Sequence, residues 1–170
     1  MPLYKLYYIF NIYIIYTGGA RSMNELIKLN ALLRLYESNF LNLHWNAKEE
    51  DFNDSHKGIS TDYYELAGKY VDVTAEMVCR LGRCPLNYQE VGILSEKSGY
   101  IVVESQKLYS REDIIELSDK MLGDIVTAIG NCLESEEMKA TINAGIKSTL
   151  ESMLDEFDIQ YRYINKRRMM

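Results

Sequence analysis

The chain has 170 residues, 47% hydrophobic and 26% charged, with only two prolines. That composition excludes a disordered chain, leaves room for long helices, and supplies enough apolar surface for one domain with a real core. A net charge of −6 excludes a protein that wraps nucleic acid through its whole surface, because phosphate contacts need lysine and arginine; a basic tail can still reach DNA.

Three cysteines, Cys79, Cys84 and Cys132, show no paired spacing. They do not make a disulfide framework or a zinc knuckle, so packing thiols and a cytoplasmic location are expected. Residues 3–16 read LYKLYYIFNIYIIY, apolar but too short to span a bilayer as a helix. Residues 17–20 are small without making a clean signal-peptide cleavage site. Residues 1–21 are expected to be an extension outside the fold, translated upstream sequence ahead of a start at Met23. A membrane-surface or signal role, or a docked strand or helix, is the alternative.

Ser22-Met23-Asn24-Glu25 fits a capping box. Leu26, Leu29, Leu33, Tyr36, Phe40 and Leu43 follow at helical spacing, widened by Leu32 and Leu41, and predict a long first helix ending near residues 44–47. Residues 48–54 read as an acidic connection. Asp54 or Ser55 can cap a second helix starting near His56 and running through Tyr63, Leu66, Tyr70, Val73, Met77 and Leu81. Gly82 and Pro85 end it. Residues 86–109 are too long for a simple loop; a helical turn at residues 92–96 and an extended piece at 99–103 are expected. Ser110 opens a third helix with Ile114, Leu117, Met121, Leu122, Ile125 and Ile129 inward. A fourth begins around residues 135–137, with the stripe Met138, Ile142, Ile146, Leu150, Met153, Leu154, Phe157 and Tyr161. The expected fold is all-α: a four-helix bundle over residues 22–165 with one long crossover, followed by a short basic tail, residues 166–170.

The only two histidines, His44 and His56, and the only tryptophan, Trp45, lie in the same stretch as Asp72 and Glu76. Asp72 and Glu76 are one turn apart, about 40° round the helix axis. Imidazole nitrogens with carboxylate oxygens suit iron, with zinc and manganese as competitors. Singly, each residue has an ordinary reading: a solvated helix face for the carboxylates, a cap or surface residue for a histidine. Their coincidence in one stretch points to a metal site shared between two helices.

This stretch resembles the signature of the Dps-type mini-ferritins, the DNA-protection-during-starvation branch of the ferritin-like superfamily. The matching residues are His44-Trp45-Asn46, Phe52, His56, Asp72-Val73-Thr74-Ala75-Glu76 and Leu81-Gly82-Arg83-Cys84-Pro85. The resemblance implies a ferritin-like four-helix bundle with a short extra helix in the crossover and twelve subunits in a hollow shell. It implies an iron site at a two-fold dimer interface, with His44 and His56 from one subunit and Asp72 and Glu76 from the other. Fe(II) would be oxidised there, preferably by hydrogen peroxide, with Trp45 close enough to give up an electron and Fe(III) mineral stored inside. Such a ferroxidase protects against oxidative damage.

The chain also departs from that pattern. Position 60 is serine where the family has an aspartate four residues after the second histidine, and Met77 replaces the arginine after the glutamate. The run from His56 to Asp72 is one residue longer than in the family, which would rotate the carboxylates by about 100° unless absorbed. A π-bulge between Gly58 and Tyr70 would absorb it, and Gly58 and Gly68 make deformation easy there. If the bulge falls before Thr61, Thr61 rather than Ser60 takes the missing ligand's place; Asp62 lies about 100° off that face. These departures support an alternative reading: a catalytically weakened shell acting as a structural or DNA-associated protein, of phage or mobile-element origin. The acidic body argues against DNA binding, while a Lys166-Arg167-Arg168 tail repeated on every subunit argues for it.

Overall fold

Helix α1 (Glu25–Trp45) carries the predicted stripe into the core: Leu26, Leu29, Leu33, Tyr36, Phe40 and Leu43 are all fully buried. The computed structural model describes residues 25–48, 50, 52–55 and 59–170. The expected N-terminal extension, the Ser22 cap and His56 lie outside the described residues. The other elements are α2 (Phe52–Ser55), α3 (Thr61–Arg80), α4 (Tyr88–Ser98), α5 (Arg111–Glu134), α6 (Glu136–Thr141), α7 (Ala144–Asp155), a π-helical stretch (Glu156–Arg162) and α8 (Tyr163–Arg168). A π-helical turn at Ile59 and Ser60 leads into α3. Four long rods make the bundle: α1, α3, α5, and the run from α7 to α8. α1 packs against α3 and α5, and α5 packs against the fourth rod.

Capping decides where the rods begin and end. Ser110 and Asp113 form a reciprocal capping box at the start of α5. α3 ends with the Gly82 amide on the Cys79 carbonyl at 2.9 Å and the Arg83 amide on the Val78 carbonyl at 3.2 Å. That closure needs the φ of +71° that Gly82 supplies, a conformation costly for residues with a Cβ. The crossover helix α4 is longer than the expected turn. Asn87 accepts the Gln89 and Glu90 amides while the Glu90 carboxylate accepts the Asn87 amide, so α4 starts well ahead of residue 92.

Two expectations are corrected. The acidic connection does not run unbroken to a cap at Asp54 or Ser55, because residues 52–55 form a helix. Residues 100–103 belong to no helix or strand, and the one β-type pairing among the described residues joins Ala47 to Tyr109. It is held by Tyr109 N–H on Asn46 O at 2.8 Å and Lys48 N–H on Tyr109 O at 3.0 Å. The fourth helix is interrupted between α6 and α7. Ile142 and Asn143 have extended backbones, and the Asn143 side chain accepts the Ile146 amide at 2.9 Å, so a competing cap restarts the helix. Beyond it the inward positions Met153, Phe157, Tyr161 and Asn165 recur every fourth residue. An α-helix drifts about 40° over each such step, and the wider π-helical winding removes that drift.

The thiols divide. Cys132 is buried and packs in the core as expected; burial pushes its pKa up to about 12. Cys79 and Cys84 are exposed free thiols at the end of α3, because that end faces solvent.

Buried asparagines tie irregular backbone to the rods. Asn39, on α1, donates to the Ile101 carbonyl at 2.7 Å and accepts the Val103 amide at 3.2 Å. Asn39→Ala strands both groups inside the fold and is expected to cost about 2 kcal/mol or more. Urea denaturation at fixed protein concentration measures it.

Candidate metal centre

α1 presents His44 in its last turn with only 9% of its surface exposed. The ring packs edge-on against Tyr64 with centroids 5.2 Å apart. Its Nδ1 lies 3.2 Å from Thr61 Oγ1. A π-helical turn at Ile59 and Ser60 lies immediately before Thr61. Ser60 is fully buried and Asp62 points to solvent, so the residue set against His44 is Thr61.

That contact orients the imidazole. When Nδ1–H donates to the Thr61 hydroxyl, Nε2 keeps its lone pair, the form of an imidazole nitrogen that ligates a metal; a partner on one ring nitrogen sets the role of the other. Trp45, the next residue, is 62% exposed.

Asp72 and Glu76 lie one turn apart on the exposed face of α3. Glu76 pairs with Arg80 at 3.3 Å across solvent, a contact of little energetic weight. With a rise of about 1.5 Å per residue, Asp72 is about 17 Å along α3 from Thr61. The single chain therefore does not bring the histidine end and the carboxylates to one point. Among the described residues, no group of three or more His, Cys, Asp or Glu side chains stands close enough to hold a metal ion. His56 is outside that set.

Tyr64 is a neighbour of His44 that sequence reasoning missed. Its signal was present, since residue 64 falls one turn after Thr61 and shares its face. The cluster linking α3 to the π-helical stretch was also missed. There Tyr70 donates its hydroxyl proton to Glu156, and Lys69 Nζ lies 2.9 Å from the same carboxylate.

This arrangement of four rods, a long crossover and a short crossover helix is an all-α ferritin-like four-helix bundle. Within that class the chain has the Dps-type fold. It is similar to the crystal structure of Dps from Staphylococcus aureus, with TM-score 0.69 and 22% identity over 86% of this chain and 93% of that one. It is also similar to Helicobacter cinaedi CAIP, with TM-score 0.60 and 19% identity over 86% of this chain and 97% of that one. No protein-family model matches the sequence, and no curated protein matches it. No described helix is long and apolar enough to cross a membrane.

Proposed function

We propose that this chain is an iron-binding mini-ferritin. It oxidises Fe(II), preferably with hydrogen peroxide, and stores Fe(III) in a hollow homo-oligomeric shell, a dodecamer in the cytoplasm that protects against oxidative damage. The observation that carries this reading is a buried, oriented His44 beside Thr61, on a Dps-type bundle that leaves the Asp72 and Glu76 pair exposed at a distance.

One ion cannot touch donors about 17 Å apart on one rod. A two-fold contact can lay two copies of α3 alongside each other in opposite directions, because such an interface places the same patch of each copy against the other. His44 and His56 of one copy then meet Asp72 and Glu76 of the next. The histidines supply nitrogen donors that hold Fe(II). The carboxylates supply negative charge that favours Fe(III) once the electron leaves. Zinc and manganese compete for the same set. The exposed Trp45 ring would lie beside the ion and could yield an electron. Two Fe(II) and one peroxide, with two protons, give two Fe(III) and two waters, so no hydroxyl radical is released.

A second reading is favoured by one feature: a neutral hydroxyl stands beside His44 where a carboxylate would add charge. On that reading the chain builds a shell without efficient oxidation, serving as a structural or DNA-associated protein. Against DNA association, Arg168 of the basic tail donates to the Tyr63 hydroxyl at 3.0 Å and is engaged with the core.

The deciding experiment adds Fe(II) and peroxide to the purified protein and follows both oxidation and particle size. Rapid oxidation, with iron co-migrating with a large oligomer, is expected. An intact oligomer that oxidises iron no faster than buffer would overturn the reading in favour of the second. Thr61→Ala should weaken Fe(II) binding about tenfold, the scale on which loss of an orienting hydrogen bond acts, while Thr61→Ser retains it. Anaerobic titration calorimetry separates the two variants.

A further inference from the structure

Oxidising a phenol by one electron releases its proton, so a buried tyrosine gives up an electron readily only where a base accepts its hydroxyl. Aromatic residues lead from His44 to Tyr36 as a file made of ring contacts and one backbone link between neighbours on α3. Tyr64 packs on His44 at 5.2 Å, and Tyr63 is its chain neighbour. Tyr63 lies 5.5 Å from Phe40, and Phe40 lies 6.5 Å from Tyr36. The proton acceptors differ along this file. Tyr63 donates to the amide oxygen of Asn165 at 2.8 Å and receives an Arg168 N–H at 3.0 Å; neither group takes up a proton. Tyr36 donates to the carboxylate of Asp124 and accepts the Ile101 amide at 3.4 Å. Tyr70, off the file, also faces a carboxylate, but Lys69 already neutralises Glu156 at 2.9 Å. Asp124 makes no ion pair among the described residues and lines an open cleft of about 540 Å³ with Lys120, Thr127 and Arg162, so a proton taken up there can pass to water.

We propose that Tyr36 is a one-electron donor to the iron site, with Asp124 as its proton acceptor. This deepens the iron-oxidising reading and rests on it. Peroxide takes two electrons and each Fe(II) gives one. With a hydroxyl rather than a carboxylate beside His44, the site holds a second iron weakly, and a singly loaded site lacks one electron. Tyr36 supplies it. The O–O bond of peroxide breaks, Fe(II) becomes Fe(III), and the Tyr36 O–H breaks with its proton going to Asp124. With that proton relayed on and one more from solvent, two waters form and a neutral tyrosyl radical remains. At rest the donor is loaded: burial, and then the Asp124 carboxylate, push the Tyr36 phenol well above its ordinary pKa, so it keeps its proton.

The test loads the assembled protein with less than one Fe(II) per site, adds peroxide, and freezes within milliseconds for electron paramagnetic resonance. A tyrosyl signal is expected that is lost in Tyr36→Phe, with a matching rise in spin-trapped hydroxyl radical. Asp124→Asn keeps a hydrogen-bond acceptor but removes the base; it should lose the signal with the same rise in spin-trapped hydroxyl radical. Iron oxidised without a tyrosyl radical, or a radical unchanged in Tyr36→Phe, overturns the proposal and leaves the iron reading standing. If iron is not oxidised at all, flash oxidation with ruthenium tris-bipyridine and persulfate decides. A radical on Tyr36 then keeps the donor assignment, and its absence ends it.

Discussion

On the iron-oxidising reading, His44→Ala is expected to lower the rate of Fe(II) oxidation by peroxide by about 100-fold or more, since loss of even an outer partner of a metal ligand costs 10- to 100-fold. Asp72→Ala is expected to do the same, although its side chain is exposed and touches nothing near His44 in one chain. Stopped-flow absorbance measures both. Mixing tests the two-fold geometry: subunits carrying His44→Ala, co-assembled with subunits carrying Asp72→Ala, should regain about a quarter of the wild-type sites. Half the two-fold contacts are then hybrid, and each hybrid has one site with all its donors and one with two defects. If neither single variant slows oxidation, the site lies elsewhere. If both slow it but mixtures regain nothing, His44 and Asp72 do not come from different subunits.

The parts of the fold legible from sequence were those written in local chemistry. The α1 stripe from Leu26 to Leu43 repeats at three and four residues, and every predicted inward position is buried except Leu41, which is half-buried. Ser110 with Asp113 announced α5, and Gly82 with Pro85 announced the end of α3. The break before α7 was not legible, because Asn143 sits inside a continuous stripe running from Met138 to Leu150 and a mid-stripe asparagine carries no sign that it will cap rather than face water. The π-helical winding at Glu156–Arg162 was hidden for a related reason: inward residues four apart fit either winding over one or two turns. The surroundings of His44 were legible in part. The extra residue between His56 and Asp72 demanded a bulge, but only the structure puts a π-helical turn at Ile59 and Ser60 and sets Thr61 against His44. Tyr36 read as one more apolar position, because nothing local shows that Asp124, far along the chain, accepts a hydrogen bond from its hydroxyl. Quaternary geometry lies outside what periodicity encodes.

Phe40→Ala is expected to destabilise the protein by about 3–5 kcal/mol, the cost of emptying a buried aromatic site. Phe40 is fully buried where α1 meets α3. Its ring lies edge-on to Tyr36 at 67° and tilts against Tyr63 at 55°. Those two neighbours cannot close the gap, because each is fixed by its hydroxyl: Tyr36 to Asp124, and Tyr63 to Asn165 and Arg168. The cavity therefore stays open, which places the cost high in the range. A domain with about 5–15 kcal/mol of total stability loses a large share of it. Phe40→Leu keeps most of the volume and should cost about 1.5 kcal/mol. Urea midpoints at one protein concentration measure both, since assembly shifts apparent stability. His44 lies one turn beyond Phe40 on α1, so Phe40→Ala should also loosen the imidazole and slow iron oxidation under conditions where the oligomer is intact. A loss below about 1 kcal/mol would mean that Tyr36 and Tyr63 do collapse into the space, and that their hydroxyl anchors are weaker than this geometry requires.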